Sequence, residues 1–271
     1  MPNQTQATIY SYRQGQVAIV PDALVMEKSI NLIVNAHQFL TVLATPQHLE
    51  ELALGILFSE GAVKSAAEVD SIWVNRQQDR VVVTLAREGP LPPPNQMLRQ
   101  SGCGACDSSL NAVTRDSGAA EDDEAVIPRL APQDIISLMA DFEQRSSLFR
   151  DTGAVHSVCF VCPESRAGAI FYDDMGRHNA LDKVIGRLLQ TGQNPAGGLI
   201  LTTGRVSMEI LIRTHRTGCR FLVSRSAPTD KAVSLAAELG LTLVGFARGQ
   251  RFNVYARPDR IWPEPGLKAG D

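Results

Sequence analysis

The sequence predicts an α/β protein, in which a mixed, partly parallel sheet with helices on its faces follows a smaller N-terminal α+β subdomain. Three observations carry this expectation. From Leu199 to Ala256 short apolar runs alternate with amphipathic ones, strand then helix, the pattern of a sheet covered by helices. Residues 8–44 read instead as consecutive short strands joined by tight turns. Between these halves, residues 87–130 follow neither the helical nor the strand period. The expected division is 1–86 for the α+β subdomain, 87–130 for a mobile cysteine-containing loop, and 131–271 for the α/β domain.

In the first part, Gln16–Val20, Ile30–Val34 and Gln38–Thr45 read as strands, with Asn35-Ala36-His37 as a turn. Thr45-Pro46 has the form of a helix start, threonine as N-cap and proline at the first helical position. Leu49, Leu52, Ala53 and Ile56 then recur at helical spacing, and Gly61 is placed to end the helix in the left-handed conformation. Ser71–Val74 and Arg80–Leu85 form a hairpin around Gln77-Gln78-Asp79.

Order is expected to return at Pro132, where Ile135, Leu138, Met139 and Phe142 make one apolar stripe. Leu148–Gly153 reads as a loop, Val155–Val161 as a strand and Ala169–Tyr172 as its hairpin partner. The polar turn Asp173–His178 opens a helix with Leu181, Val184, Ile185, Leu188 and Leu189 on one face and Gly192 as its cap. Strands follow at Leu199–Thr202, Arg220–Ser224, Leu241–Phe246 and Phe252–Ala256. Helices fall at Val206–Thr217 and at Thr229–Leu239, the second with Thr229 as N-cap.

Composition bounds the function. The 271 residues are 44% hydrophobic and 20% charged, a globular balance with ample core. No apolar run reaches the length of a membrane span, and Met1–Gln6 lacks the charged-then-apolar design of a signal peptide, which points to the cytoplasm. Five cysteines argue for free or reactive thiols over a disulfide framework. The net charge of −3 speaks against nucleic acid as partner. Yet Gly204–Arg260 holds ten basic and four acidic residues, which leaves −9 on the rest of the chain. One basic region on an acidic protein suits a specific anionic ligand, and equally a solvated basic face.

Two groups of residues could carry chemistry. Cys103 and Cys106 lie in Ser101–Ser109, a run of small and polar residues that cannot bury itself, preceded by Pro90-Leu91-Pro92-Pro93-Pro94 and followed by polar, acidic residues. The segment reads as presenting two thiols to solvent. Three polar turns fall where strands end and helices or hairpins begin: Thr202–Ser207, Ser224–Thr229 and Phe246–Arg251. Hydroxyls, glycines and arginines there suit a phosphate, because free backbone N–H groups and the helix dipole face it and guanidinium forks match its oxygens. Taken singly, each turn is a cap with a surface arginine; three along one sheet edge point to a nucleotide-like ligand. Thr203, Gly204, Arg205, Ser207, Ser224, Arg225 and Ser226 are the candidates of the first two turns. None of the turns matches the P-loop or the dinucleotide fingerprint.

Asp174, Arg177, His178, Asp182 and Lys183 form a denser cluster than a helix start needs, either a capping salt-bridge network or the lining of a site. His156 reads as a hydrogen-bonded strand residue. Cys159 and Cys162, three apart on a strand, point to opposite faces, and with Cys219 they read as core.

Laid out in this way, the chain resembles the formate dehydrogenase accessory sulfurtransferase family (FdhD type). The matching stretches are Leu54–Gly61, Cys103-Gly104-Ala105-Cys106, and Leu148-Phe149 with Thr152-Gly153 and His156. Further on come Asp174–Lys183, Gly204–Glu209 and Ser224–Thr229. The resemblance implies a cytidine-deaminase-like fold, a homodimer, and a sulfur carrier in which a loop cysteine takes sulfane sulfur from a cysteine desulfurase as a persulfide. It further implies transfer to the molybdenum (or tungsten) cofactor in its bis(molybdopterin guanine dinucleotide) form, bound as substrate, before insertion into the formate dehydrogenase catalytic subunit. Guanine nucleotide would mimic that ligand. Cys103 is the expected persulfide carrier and Cys106 its helper. Phe246, Ala247, Arg248, Gly249, Gln250 and Arg251 match the family's cofactor-contacting segment, and His178 is carried as a further contact. Departures are Asp107, where the family has Gly, and Thr152 and Val158 around the loop histidine. Three rival readings are weighed. A zinc nucleoside deaminase lacks its H-x-E here, since Val158 stands two residues after His156. A dithiol oxidoreductase would open a helix with its C-x-x-C. The third is a cofactor-binding chaperone without catalysis.

Overall fold

Apolar alternation, two-residue turns and one long apolar helix build the first of two units. A computed structural model describes residues 3–75, 77–87, 89, 91 and 126–262. Cys103, Cys106 and most of the expected 87–130 loop lie outside the described residues. The described residues fall into two units, the first drawn from Met1–Pro92, Gln144–Val158 and Tyr172–Gln190, the second from Pro93–Glu143, Cys159–Phe171 and Thr191–Asp271. The units thus do not follow the chain-order division at 86 and 131, because two later segments pack with the N-terminal residues.

In the first unit, β1 (Gln4–Arg13) and β2 (Gln16–Val25) form a separate two-stranded antiparallel ribbon. A four-stranded sheet has the order β4-β3-β6-β5, with β3 (Lys28–Val34), β4 (His37–Ala44), β5 (Val69–Val74) and β6 (Arg80–Leu85). Asn35 and Ala36 join β3 to β4 with φ of 46° and 66°, the geometry whose twist suits a hairpin. The helix α1 (Leu49–Ser59) buries Leu49, Leu52, Leu54, Ile56 and Leu57 in the same core as Ile30, Leu32, Val34, Val81 and Val83. Gly61, at φ 75°, ends it as expected.

The helix start differs from expectation. α1 begins at Leu49, not at Thr45-Pro46, with His48 in the left-handed conformation before it. Thr45 does not cap because its hydroxyl is taken by Asp174 and Lys183. Leu148–Gly153 is also no loop. Ser147–Thr152 is a short helix (α3), its start capped where the Phe149 N–H donates to Ser146 Oγ at 2.9 Å, its end set by Gly153 at φ 67°. The helix α4 (Arg177–Thr191) completes the unit, and its backbone meets that of α1. A Cβ on Gly55 would overlap the Asp182 carbonyl, and one on Gly186 the Glu51 carbonyl, so glycine at both positions sets the approach.

The second unit is built on a six-stranded sheet of order β12-β11-β10-β9-β7-β8. Its strands are β7 (His156–Cys162), β8 (Ser165–Asp174), β9 (Leu199–Thr202), β10 (Phe221–Ser224), β11 (Thr242–Arg248) and β12 (Arg251–Ala256); residues 156–158 and 172–174 count with the first unit. β9, β10 and β11 run parallel, and β12 returns antiparallel as a hairpin. Every residue of β9 and β10 is buried, as parallel strands covered on both faces require. α2 (Pro132–Glu143) covers one face, where Ile135, Leu138, Met139 and Phe142 pack with Leu199, Leu201, Phe221, Val223 and Val244. α5 (Met208–Arg216) and α6 (Asp230–Glu238) pack on each other, and α6 also on β11 and β12. Ile127 and Leu130, ahead of Pro132, are buried, and the Leu130 N–H donates to the Arg260 carbonyl at 3.0 Å.

Candidate functional site: three joined strand-end turns

The parallel strands β9, β10 and β11 deliver their C-terminal ends to one edge of the second unit, and the three polar turns stand there. Backbone and hydroxyl hydrogen bonds tie the first turn to the second. The Arg225 N–H donates to Thr202 O at 2.9 Å, Val206 N–H to Ala227 O at 3.1 Å, and Thr229 N–H to Val206 O at 2.9 Å. Ser224 Oγ donates to Gly204 O at 2.7 Å, and Ser226 Oγ to Thr203 O at 2.9 Å. The third turn joins through Phe246 N–H on Ser226 O at 3.1 Å and Arg248 Nε on Arg225 O at 2.8 Å. A Cβ on Gly245 would stand 2.9 Å from both Pro228 Cδ and Tyr255 Cε2, so the close approach needs glycine. Phe246 itself is held at φ 53°, a left-handed conformation rare for an aromatic residue.

The edge therefore assembles the residues named from the sequence, but in different roles. Arg205, Arg225, Arg248, Gly249, Gln250 and Arg251 are exposed. Ser224 and Ala247 are buried: Ser224 shapes the turn with its hydroxyl, and Ala247 belongs to the core. Ser226 spends its hydroxyl on Thr203, and the Gly204 N–H donates to Thr202 Oγ1 at 3.1 Å. Arg225 Nε pairs with Glu143 at 2.7 Å, and the Arg248 guanidinium lies 5.7 Å from the centre of the Phe246 ring. Ser207 is the N-cap of α5, yet it caps nothing; its buried Oγ has no hydrogen-bond partner. A helix N-terminus, an unfilled hydroxyl and four exposed arginines on one edge fit an anionic group such as a phosphate.

The second polar cluster has another character. Lys183 Nζ and Asp174 Oδ2 meet at 2.7 Å with both side chains fully buried in the first unit. Thr45 Oγ1 lies 2.8 Å from each, donating to Asp174 and accepting from Lys183. The other Asp174 oxygen accepts from Gly176 N–H at 2.9 Å and from Asn179 Nδ2 at 3.0 Å. Burial pushes the Lys183 amine down, and the Asp174 charge opposes it. Asp182 accepts from Ser59 Oγ at 2.7 Å. Asp174, Asp182 and Lys183 are buried among the described residues and tie α4 to the residues around α1. His178 stands half-buried in the first turn of α4.

The sequence reading missed a neighbouring group. The His48 ring lies 4.6 Å from that of Tyr172, whose hydroxyl donates to Glu51 Oε1 at 3.1 Å. Burial first, then the Glu51 charge, raises the Tyr172 pKa, while burial lowers that of His48. Only the i, i+3 spacing of His48 and Glu51 was visible in advance.

Cys159 and Cys219 are buried, and Cys162 is half-buried with the Gln193 amide 3.7 Å from its sulfur. Burial pushes the Cys219 thiol up to about 11, which makes it a poor nucleophile. Among the described residues no group of three His, Cys, Asp or Glu side chains is arranged to hold a metal, and no helix is long and apolar enough to cross a membrane.

The second unit is an α/β fold whose parallel strand ends meet in an arginine-bearing edge, the place where ligands of open α/β sheets collect. The particular family follows from comparison: the chain belongs to the FdhD/NarQ family, whose model matches residues 25–262. It is similar to the sulfur carrier protein FdhD of Shouchella clausii (strain KSM-K16), 34% identical over 263 residues, 95% of this chain and 97% of that protein. The protein of the same name from Bacillus subtilis (strain 168) is 34% identical over 93% of this chain and 95% of its own length. That of Geobacillus kaustophilus (strain HTA426) is 36% identical over the same shares. A crystal structure of a provisionally assigned formate dehydrogenase accessory protein from Desulfotalea psychrophila matches with TM-score 0.77 and 26% identity, covering 96% of this chain and all of that one.

Proposed function

We propose that this protein is a cytoplasmic sulfur carrier that serves a formate dehydrogenase. A thiolate at Cys103 attacks the outer sulfur of a cysteine desulfurase persulfide; the desulfurase thiolate leaves, and Cys103 holds the new S–S bond. Cys106 assists. The Cys106 thiolate attacks the Cys103 sulfur, a Cys103–Cys106 disulfide forms and the outer sulfur leaves as hydrosulfide to the molybdenum cofactor in its bis(molybdopterin guanine dinucleotide) form, bound as substrate on the strand-end edge, before that cofactor enters the dehydrogenase; a thiol reductant then restores the two cysteines. The observation that carries this reading is the joining of Thr202–Ser207, Ser224–Thr229 and Phe246–Arg251 into one edge with exposed arginines and the unpartnered Ser207 hydroxyl. Support also comes from relatives named as sulfur carriers. The three adjacent parallel strands are compatible with a cytidine-deaminase-like sheet, and we read the protein as a homodimer.

The test is intact mass after incubation with a cysteine desulfurase and cysteine, beside Cys103→Ala and Cys106→Ala, with GDP binding measured on the same samples. One added sulfur, absent in Cys103→Ala, is the expected outcome. GDP binding without added sulfur would leave a cofactor chaperone, and turnover as a disulfide reductase would leave a dithiol oxidoreductase.

A further inference from the structure

The second unit carries a cleft of about 590 Å³, lined by residues 126–130, the Pro163-Glu164 turn between β7 and β8, and Gly197. Gly197 precedes the N-terminal end of β9, whereas the three polar turns follow the C-terminal ends of the parallel strands. The cleft and the candidate edge thus lie at opposite ends of the sheet. Its walls are stiff: Pro128 and Pro163 fix their own φ, and Ile127 and Leu130 are buried. Two opposite charges border it, Arg129 and Glu164, both exposed. Among the described residues neither has an ion pair or a side-chain hydrogen bond, with the other or with any third group. The nearby charges are already spent: Arg166 pairs with Asp141 at 2.9 Å, and Asp134 accepts the Ala131 N–H at 3.1 Å. Of the N–H groups of Ile127, Arg129 and Leu130, only the last has a backbone partner among the described residues.

We infer that this cleft binds a short zwitterionic peptide, its carboxylate on Arg129, its ammonium on Glu164 and its backbone along residues 126–129. Charge selects the class. An anion would meet Glu164 and a cation would meet Arg129, so a ligand that bears both charges, held apart, matches the site. The guanidinium adds paired donors that fit a carboxylate. Size selects the length. The volume lies within the roughly 300–1,000 Å³ of small-molecule sites and exceeds what one amino acid fills. A tripeptide, extended at about 3.3 Å per residue, spans about 10 Å between its two charges. The unspent backbone groups of the 126–129 run suit a second extended backbone, as a sheet edge does. Proline and aliphatic walls favour small uncharged side chains on the ligand. The site shares no residue with the sulfur-carrier reading and stands apart from it.

The experiment is a calorimetric titration of the full chain with trialanine, N-acetyl-trialanine and trialanine amide, each to about 10 mM. At the efficiency of ordinary ligands, about 16 heavy atoms give trialanine a Kd on the order of 0.3 mM. Acetylation, which removes the ammonium, and amidation, which removes the carboxylate, should each weaken binding about fivefold or more. Glu164→Gln should weaken trialanine by a similar factor yet leave the acetylated peptide unchanged, and Arg129→Gln should do the same for the amide. Gly197→Leu fills the cleft. Its Cβ would stand 3.9 Å from Val126, an ordinary contact, and its φ is not left-handed, so the backbone need not move. Binding should vanish in that variant with the far-UV spectrum and melting temperature unchanged; should it unfold, the two exposed charge variants carry the test. No binding by the wild type, equal binding of free and blocked peptides, or wild-type affinity in a folded Gly197→Leu overturns the inference. So does alanine binding as tightly as trialanine, because the site would then take a single amino acid.

Discussion

Replacing Asp174 by Asn tests whether the buried pair holds the first unit together. In the wild type the carboxylate accepts five hydrogen bonds, from Lys183 at 2.7 Å, Thr45 Oγ1 at 2.8 Å, Thr45 N–H at 3.1 Å, Gly176 N–H at 2.9 Å and Asn179 Nδ2 at 3.0 Å. Asn keeps the shape, removes the charge and turns one acceptor into a donor that faces other donors. Lys183, fully buried, is then an ammonium without its anion. Breaking such a pair costs about 3–5 kcal/mol, against a total stability of about 5–15 kcal/mol. At about 2–4 °C per kcal/mol, the melting temperature should fall by roughly 6–20 °C. Thr45→Val, which removes two hydrogen bonds but no charge, should cost about 1–3 kcal/mol. The sign with pH is also set. Losing Asp174 lowers the Lys183 pKa further, so the folded variant binds fewer protons than its unfolded chain, and its deficit should narrow as pH rises from 7 toward 10. Urea unfolding in a Trp262→Phe background isolates the first unit, because Trp73 is then the chain's single tryptophan. Asp174→Asn/Lys183→Met should recover more than half the loss. A single-variant cost below about 1 kcal/mol, or a double variant as unstable as the single, would refute the argument.

Other outcomes follow from the same geometry. Arg205→Ala should weaken GDP binding about tenfold or more and flatten its salt dependence, while Arg80→Ala, an exposed arginine of the other unit, should change neither; calorimetry decides. The Cys219 thiol rises from 9.0 to about 11 on folding, so it contributes stability that is full below pH 9 and lost as pH climbs through 11. That loss is about 3 kcal/mol and should be missing from the urea midpoints of Cys219→Ala, whose contribution from Tyr172 is unchanged. Gly245→Ala should separate the third turn from Pro228 and Tyr255, lowering GDP affinity more than thermal stability, whereas Gly55→Ala should reduce soluble, folded protein outright because the Asp182 backbone cannot yield.

How far such features were legible depended on how local their causes are. Thr229 was read as a cap because its partner, the Ala232 N–H, lies three residues on, and the Asn35-Ala36 turn because it sits between two alternating runs. Thr45 fitted the same cap rule and failed it, since the groups that claim its hydroxyl lie 129 and 138 residues away. The helix at Ser147–Thr152 had both its signals in view, Ser146 and Gly153, but six residues are too few to show an apolar stripe. At the candidate site, composition located all three turns because a strand end followed by glycine, hydroxyl and arginine is a local pattern. It could not separate Ser224 and Ala247, which face inward, from Arg205 and Arg251, which face out; that depends on the twist and pairing of β9, β10 and β11. The two polar clusters therefore differ in kind although their sequences look alike. Asp174 and Lys183 satisfy each other in the interior, so their removal should be read in stability. The strand-end turns satisfy their backbones among themselves, expose four arginines and leave Ser207 Oγ unspent, so their removal should be read in binding.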